Sequence, residues 1–405
     1  MPDAQMSFVC GRQTVPWDYA SRFFHAVGRY RWGLERVFVL AKAGYTYSNM
    51  DAPVNTLREI WKMKGETAEA QCTLMKRLWH FRGRKCGDPR DKVFSILGIC
   101  KDLREGDIVV DYSFSVARIY SEVARFIFER GHNLRLLSAC QAYGKNVDDL
   151  PSWVSDWSID ARFRPMGTIA SWETDAAQKY IYHASGSASA PRVEISDDLK
   201  ALKVQGIVVG KISVLGTHIE NDGDTIKTPE SQNRMFWLFK TWWPLAKSHT
   251  LKITADGERR IDAFWRTIIM DTNSLDYSQK ATQEEEGAQF MLWMTEWNPS
   301  IFEPEDLDGY GNVQQYVNYL ASFQQATRNR RFFITEAGRM GLGPRLVEPG
   351  DLVCVLLGSQ VPFVLRAVDE HYVIVGECYC HGVMEGEAVK GLDEGEVAFE
   401  EFTLR

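Results

Sequence analysis

No stretch of about 18 consecutive apolar residues occurs among the 405, and Met1 is followed by no basic-then-apolar leader. Neither a transmembrane helix nor a signal peptide is expected, which points to a cytoplasmic protein without membrane insertion. Positive charge is also short: 47 Lys and Arg face 54 Asp and Glu, a net charge of −7 with no basic stripe to compensate. That argues against nucleic acid and anionic membrane surfaces as partners. The eight cysteines, at 10, 72, 86, 100, 140, 354, 378 and 380, form no C-x-x-C pair and read as reduced, buried thiols. Walker A, H-E-x-x-H, G-x-S-x-G and EF-hand patterns are all missing, so no cofactor and no metal is expected. Gly338-x-x-Gly341-x-Gly343 runs the dinucleotide spacing backwards and reads as a turn between strands, while Gly309-x-Gly311 follows no strand and lacks a third glycine.

What the chain has is aromatic surface: 13 Trp and 12% aromatics within an ordinary 45% hydrophobic content. These supply rigid apolar faces for a core, an interface or a pocket. Helices are expected from Thr14, as cap, to about residue 40 with Pro16 in the first turn, and then over 53–64 and 67–82. Val116, Ile119, Tyr120, Val123 and Ile127 mark a further helix, with Arg118, Glu122, Arg125 and Glu129 alternating in sign on its exposed side. LRLLSAC, ending at Cys140, reads as a strand. Strand patterns follow at 179–184, 192–196 and 199–215, then helices at 231–246, 258–270, 287–297 and 312–328, then strands again from Arg331. Strands on both sides of a helical block predict an α+β fold. It has a mainly helical N-terminal domain, over 1–165, and a small antiparallel β-barrel or sandwich split into 166–217 and 331–405 by an aromatic-rich helical insertion, 218–330.

The most constrained segment is Arg84–Ile99, RKCGDPRDKVFSILGI. Asp88 is placed to accept from the amides of the next turn, Pro89 suits the first helical position, and Gly98 is placed to stop the helix in a left-handed conformation. Arg90 and Asp91 are adjacent, so they cannot pair across the helix, and each needs a carbonyl or a distant carboxylate as partner.

The run CGDPRDKVFSILGI resembles a block of fungal heterokaryon-incompatibility (HET) proteins. VDYSFSVARIYSEVARFI at 110–127, LPSWVSDWS at 150–158, the short Phe8-Val9-Cys10-Gly11 block and the segments within 335–388 are similar to further blocks of the same family. Longer relatives carry an N-terminal HET module associated with cell death; the resemblance implies that this chain begins after it. It also implies two functions. One is a natural-product enzyme of HET-like class: a cofactor-free cyclase or Diels–Alderase that folds a small apolar metabolite and hydrogen-bonds its carbonyl. The other is a truncated incompatibility factor that recognises a partner without catalysis. A homodimer is compatible with either.

For the enzyme, the candidate carbonyl donors are His381, Tyr379, Arg366 and Tyr112, and the candidate substrate walls are Trp153, Trp157 and Asp156. The alternative for that tryptophan loop is a staple onto the helical domain, with Asp156 satisfying loop amides. Glu377, Cys378, Cys380 and His381 do not converge as zinc ligands, since strand alternation separates the cysteines from the other two. Trp237, Trp242, Trp243 and Trp265 read as core. An enzyme of this kind needs a closed apolar pocket of about 300–1,000 Å³; a recognition protein needs exposed apolar surface instead.

Overall fold

The computed structural model describes residues 7–10, 12–16, 19, 73–131, 134–141, 145–159, 166, 181–186, 193–218, 229–250, 257–273, 279–297, 316–393 and 398–405. The chain divides into two units, Met1–His80 with Ile99–Asp102, and Phe81–Gly98 with Leu103–Arg405.

In the first unit, β1 (Ser7–Cys10) and β2 (Gln13–Pro16) form an antiparallel hairpin in which Val9 faces Thr14. Thr14 and Pro16 are therefore strand residues and not the cap and first turn of a helix. Pairing of the two runs into a hairpin takes these residues before a helix has the chance to start. Of the remainder of the expected 14–40 helix only Tyr19, which is helical, is described, and the whole 53–64 helix lies outside the described residues. Of the expected 67–82 helix, α1 is described over Leu74–Phe81. Its first amide, Leu74 N, donates to both carboxylate oxygens of Asp102 at 2.9 and 3.1 Å, a cap brought from 28 residues away.

The second unit opens with α2 (Asp91–Phe94), a single turn followed by a 3₁₀ turn at Leu97–Ile99. Gly98 does not take a left-handed φ, so the expected glycine stop is absent. Next come α3 (Val116–Gly131), with Glu122 ion-paired to Arg125 and Arg118 as its sign pattern predicts, and a 3₁₀ segment at Arg135–Ala139. That segment corrects the expected strand. Leu136, Leu137 and Ala139 are all buried, and a short, wholly buried apolar run carries no period to separate strand from helical turn.

The spine of the sheet is β4 (Leu202–Leu215). Around it lie β3 (Val193–Ile195), β5 (Arg330–Thr335), β6 (Met340–Pro344), β7 (Leu352–Leu356), β8 (Phe363–Val368), β9 (His371–Glu377), β10 (Tyr379–Cys380) and β11 (Glu400–Leu404). The order is β10-β6-β5-β4-β11-β9-β8-β7, and β7 returns to pair with β4, so the pairings close a circuit. One strand reaches all these partners because it bends: register shifts between Val208 and Gly210 and between Ile212 and Val214 mark two bulges. All pairings are antiparallel except β11 with β9. Ile212, Phe333, Val353, Val364, Val375, Cys378 and Cys380 pack into one core cluster. Of the expected strand at 179–184, residues 179 and 180 lie outside the described residues, and 181–184 are not strand; the amides there bond across to loops, His183 N to Met384 O at 2.8 Å and Ala184 N to Gln360 O at 3.1 Å.

Between β4 and β5 come α4 (Pro229–His249), α5 (Arg260–Ile268), a π-helical turn (Gln283–Gly287), α6 (Ala288–Trp297) and α7 (Val317–Thr327). Phe239, Trp243, Phe264, Phe290, Trp293 and Tyr319 meet ring to ring there. Trp242 stacks on Phe332 of β5 at 5.5 Å and donates to Thr217 O at 2.9 Å. It fits only because residue 216 is glycine: a Cβ there would stand 2.5 Å from the indole. Trp242, Trp243 and Trp265 are buried; Trp237 is exposed. The helix α8 (Glu387–Asp393) precedes β11. Gly338 turns with positive φ, while Gly341 and Gly343 lie in β6 against Phe333.

Candidate functional site

His381 follows β10 directly, and the sheet presents its imidazole to the segment leading into α5. Nδ1 lies 3.0 Å from the Tyr379 hydroxyl and Nε2 lies 2.6 Å from Glu258 Oε2. An ionised carboxylate only accepts, so the proton sits on Nε2 and the phenol donates to Nδ1. Burial, with Asp271, Tyr182 and Glu258 nearby, pushes the Tyr379 phenol well above its usual range, so it stays a donor. Glu258 is shared with Arg266 at 3.3 Å; Arg266 also holds Asp271 at 2.8 Å, and Lys280 bridges Asp271 at 3.6 Å and Glu385 at 2.7 Å. Tyr182 packs edge-on to Tyr379 at 6.1 Å, beneath the Lys280 ammonium, and its hydroxyl donates to Met270 O. The result is a continuous ladder of alternating charge built on two buried phenols. Both ring nitrogens of His381 are occupied, so hydrogen-bonding a substrate would require one of them to let go.

The other expected donors stand apart from this ladder and share no partner with it. Arg366, on β8, grips Asp351 through two nitrogens at 2.8 and 3.0 Å and also takes Leu346 O at 2.7 Å and Glu348 at 3.1 Å. It fastens the turn between β6 and β7, and Asp351 holds its guanidinium pKa above the usual value. Tyr112 is 53% exposed and its hydroxyl donates to Asp91 at 2.6 Å, which keeps the phenol above its ordinary pKa. Arg90 meets Asp88 at 2.7 Å and takes the carbonyls of Tyr112 and of Phe114, the latter at 3.0 Å. This clamp holds a loop on which Val109 and Val110 are more than half exposed.

Trp153 and Trp157 are fully buried. Trp153 donates to Lys200 O at 3.4 Å, and the Arg82 guanidinium lies 5.2 Å from the Trp157 ring. Asp156 accepts from the amides of Asn146, Val147 and Ser158 at 2.8, 3.2 and 2.9 Å. Arg82 ties the loop down through Ala139, Asp156 and Ile159 carbonyls, while Ser152 bonds Ile374 N and its own amide takes Arg405 O. Here these three residues serve as a fastening between loop and sheet.

Sequence reading missed Glu258, Arg266, Asp271 and Lys280. No local signal could have found them: Glu258 lies 123 residues from the histidine that it orients. Two concavities stand out. One, of about 30 Å³, lies against Cys140, Arg330, Val375, Gly376 and Glu377. The other, an open groove of about 490 Å³, is edged by Pro89, Val116, Asn146, Asp148, Asp149 and Ser158. None of the seven expected site residues lines either. Among the described residues no group of three or more His, Cys, Asp or Glu is placed to hold a metal, and no helix is long and apolar enough to cross a membrane.

The Het-6 beta-barrel domain matches residues 307–397. Heterokaryon incompatibility protein 6, OR allele, of Neurospora crassa is 26% identical over 341 residues, covering 74% of this chain and 48% of that protein. The chain thus spans about half the length of this curated relative. No solved structure matches. By these two likenesses the chain resembles heterokaryon-incompatibility proteins; neither likeness speaks of cyclase chemistry.

Proposed function

We propose that this HET-like chain is a recognition or regulatory protein of the kind the Neurospora relative's name describes, binding another protein without bond-making chemistry of its own. The observation that carries this reading is the saturation of the candidate catalytic groups. His381 is held at both nitrogens, Arg366 at a carboxylate and a carbonyl, Tyr112 at Asp91, and the tryptophans are sealed in a packed loop. Apolar surface is displayed instead on a clamped loop, at Val109, Val110 and Tyr112.

A cofactor-free cyclase acting on an apolar terpenoid or polyketide is the second reading, favoured by one observation. The His381 imidazole is partly exposed and already oriented by Glu258, the arrangement a carbonyl donor needs once its second partner is displaced. Incubating the purified chain with a fungal metabolite extract, without added cofactor, separates the two. Mass-resolved chromatography is expected to show no change against a heat-denatured control. Conversion of one compound to an isomer of unchanged mass overturns the recognition reading. A growth defect in forced heterokaryons of Neurospora crassa expressing the chain is expected to survive His381→Gln, whereas a catalytic output would not.

A further inference from the structure

The clamped loop that displays apolar surface also displays backbone. Ile108, Val109 and Val110 are three β-branched residues in a row, and Val109–Asp111 runs without turn or bend. Val109 and Val110 are 58% and 57% exposed. Among the described residues nothing donates to or accepts from the backbone of Ile108, Val109 or Val110, so the segment offers an unpaired strand edge outside the sheet. Both of its ends are pinned. Asp107 accepts from the Arg104 amide at 2.8 Å and from Arg130 at 3.3 Å. At the other end Arg90 takes the Tyr112 and Phe114 carbonyls, and the Tyr112 ring packs edge-on to Phe94 at 5.1 Å. A partner therefore gives up little free energy in ordering the segment.

We propose that residues 108–111 are a docking edge for an extended segment of another protein, which adds to it as a β-strand and carries β-branched residues beside a lysine or arginine. This rests on the recognition reading and names the partner's chemistry. Backbone sets the occupant's form, because a row of unpaired N–H and C=O groups is matched by another extended backbone. Side chains set its apolar part: strand residues alternate, so Val109 and Val110 offer one β-branched side chain to each face. Charge sets the rest. From Arg104 to Asp111 one basic side chain stands against three acidic ones, Glu105, Asp107 and Asp111. Arg130 offsets Asp107, and nearby Arg118 is shared with Glu122, which leaves the edge acidic. A second copy of this chain fits less well, since each copy has a net charge of −7 and would bring the same acidic flanks to one short ladder.

The test titrates the full-length protein with the peptide acetyl-Lys-Thr-Val-Thr-Val-Lys-amide and follows backbone amides by NMR. Saturable shifts are expected at 108–111. A copy of the peptide N-methylated at every interior residue cannot complete a ladder and is expected to bind about tenfold more weakly or worse. The counterpart with glutamate for both lysines is expected to lose affinity as well. Val109→Pro removes one donor of the edge and is expected to abolish binding while the amides of β4 and β5 stay in place. If that variant fails to fold, the two altered peptides decide alone. The proposal is overturned if the first peptide gives no saturable shift at 108–111 up to about 10 mM, a binding free energy of under about 3 kcal/mol. Equal binding of either altered peptide overturns it too, and so does movement of the same amides on dilution of the protein alone, the mark of a second copy. The recognition reading is separable. A forced-heterokaryon growth defect that survives Val109→Pro sinks this edge and spares that reading, whereas no defect from the unaltered chain sinks that reading whatever the peptide does.

Discussion

Two arginine–carboxylate pairs in this chain do opposite work. Arg90 lies two residues from Asp88, the pair is partly exposed, and its guanidinium spends its remaining donors on the carbonyls of an outer loop. Arg330 lies 47 residues from Glu377, both side chains are 2% exposed, and the pair sits where strand, 3₁₀ turn and cavity meet. Water competes for the first pair and screens it, so it shapes a loop more than it stabilises a fold. Burial keeps bulk solvent from screening the second, and either partner alone would be an uncompensated buried charge.

The largest expected effect breaks the buried pair. Glu377→Ala strands the Arg330 guanidinium and is expected to cost about 3–5 kcal/mol in urea unfolding, with Arg330→Met/Glu377→Leu recovering most of it. A loss under about 1 kcal/mol would put the pair in the same class as Arg90–Asp88. Next in size is Arg82→Ala, an intermediate case in which a buried cation donates to three backbone carbonyls. It is expected to cost about 2–3 kcal/mol and to free the Trp157 loop, seen as a red-shifted indole emission.

Acid titration sharpens the contrast without any mutation. Burial pushes the Glu377 carboxyl above its ordinary 4.5 against the pull of Arg330, while the hydrogen bond from Arg90 holds Asp88 below its ordinary 3.8. Carboxyl carbon NMR is expected to find Glu377 taking its proton first on acidification and Asp88 last. The signs follow from linkage. Asp88 contributes stability above 3.8 that is lost as pH falls through its folded value, whereas the contribution of Glu377 falls as pH rises from 4.5 through its own. The smallest effect is that of Arg90→Ala. The unfolding midpoint is expected to stay nearly unchanged while amide exchange at Tyr112–Phe114 accelerates, because only the loop loses its clamp.

The same contrast explains what could be read in advance. Local features were legible: the sign-alternating face of α3 and the aromatic helices between β4 and β5. The Thr14 cap and the 134–140 strand failed because a strand pairing and a wholly buried turn each overrode a weak local preference. His381 and Tyr379, named from sequence as alternative donors, are two residues apart; Glu258, Arg266 and Lys280 reach them only because α5 and the segment after it fold against the end of β10.

By itself, then, the sequence determined the α+β class, the order of most elements and the likeness to incompatibility proteins. All of these depend on spacing along the chain, which covalent geometry and side-chain period translate directly into local structure. Only the tertiary structure decided that His381 is held at both nitrogens, that Trp153 and Trp157 are sealed in, and that Glu377 meets Arg330 in the buried interior. Those outcomes depend on which distant groups share the same desolvated space, and a carboxylate's partner there is set by packing and not by its neighbours in sequence.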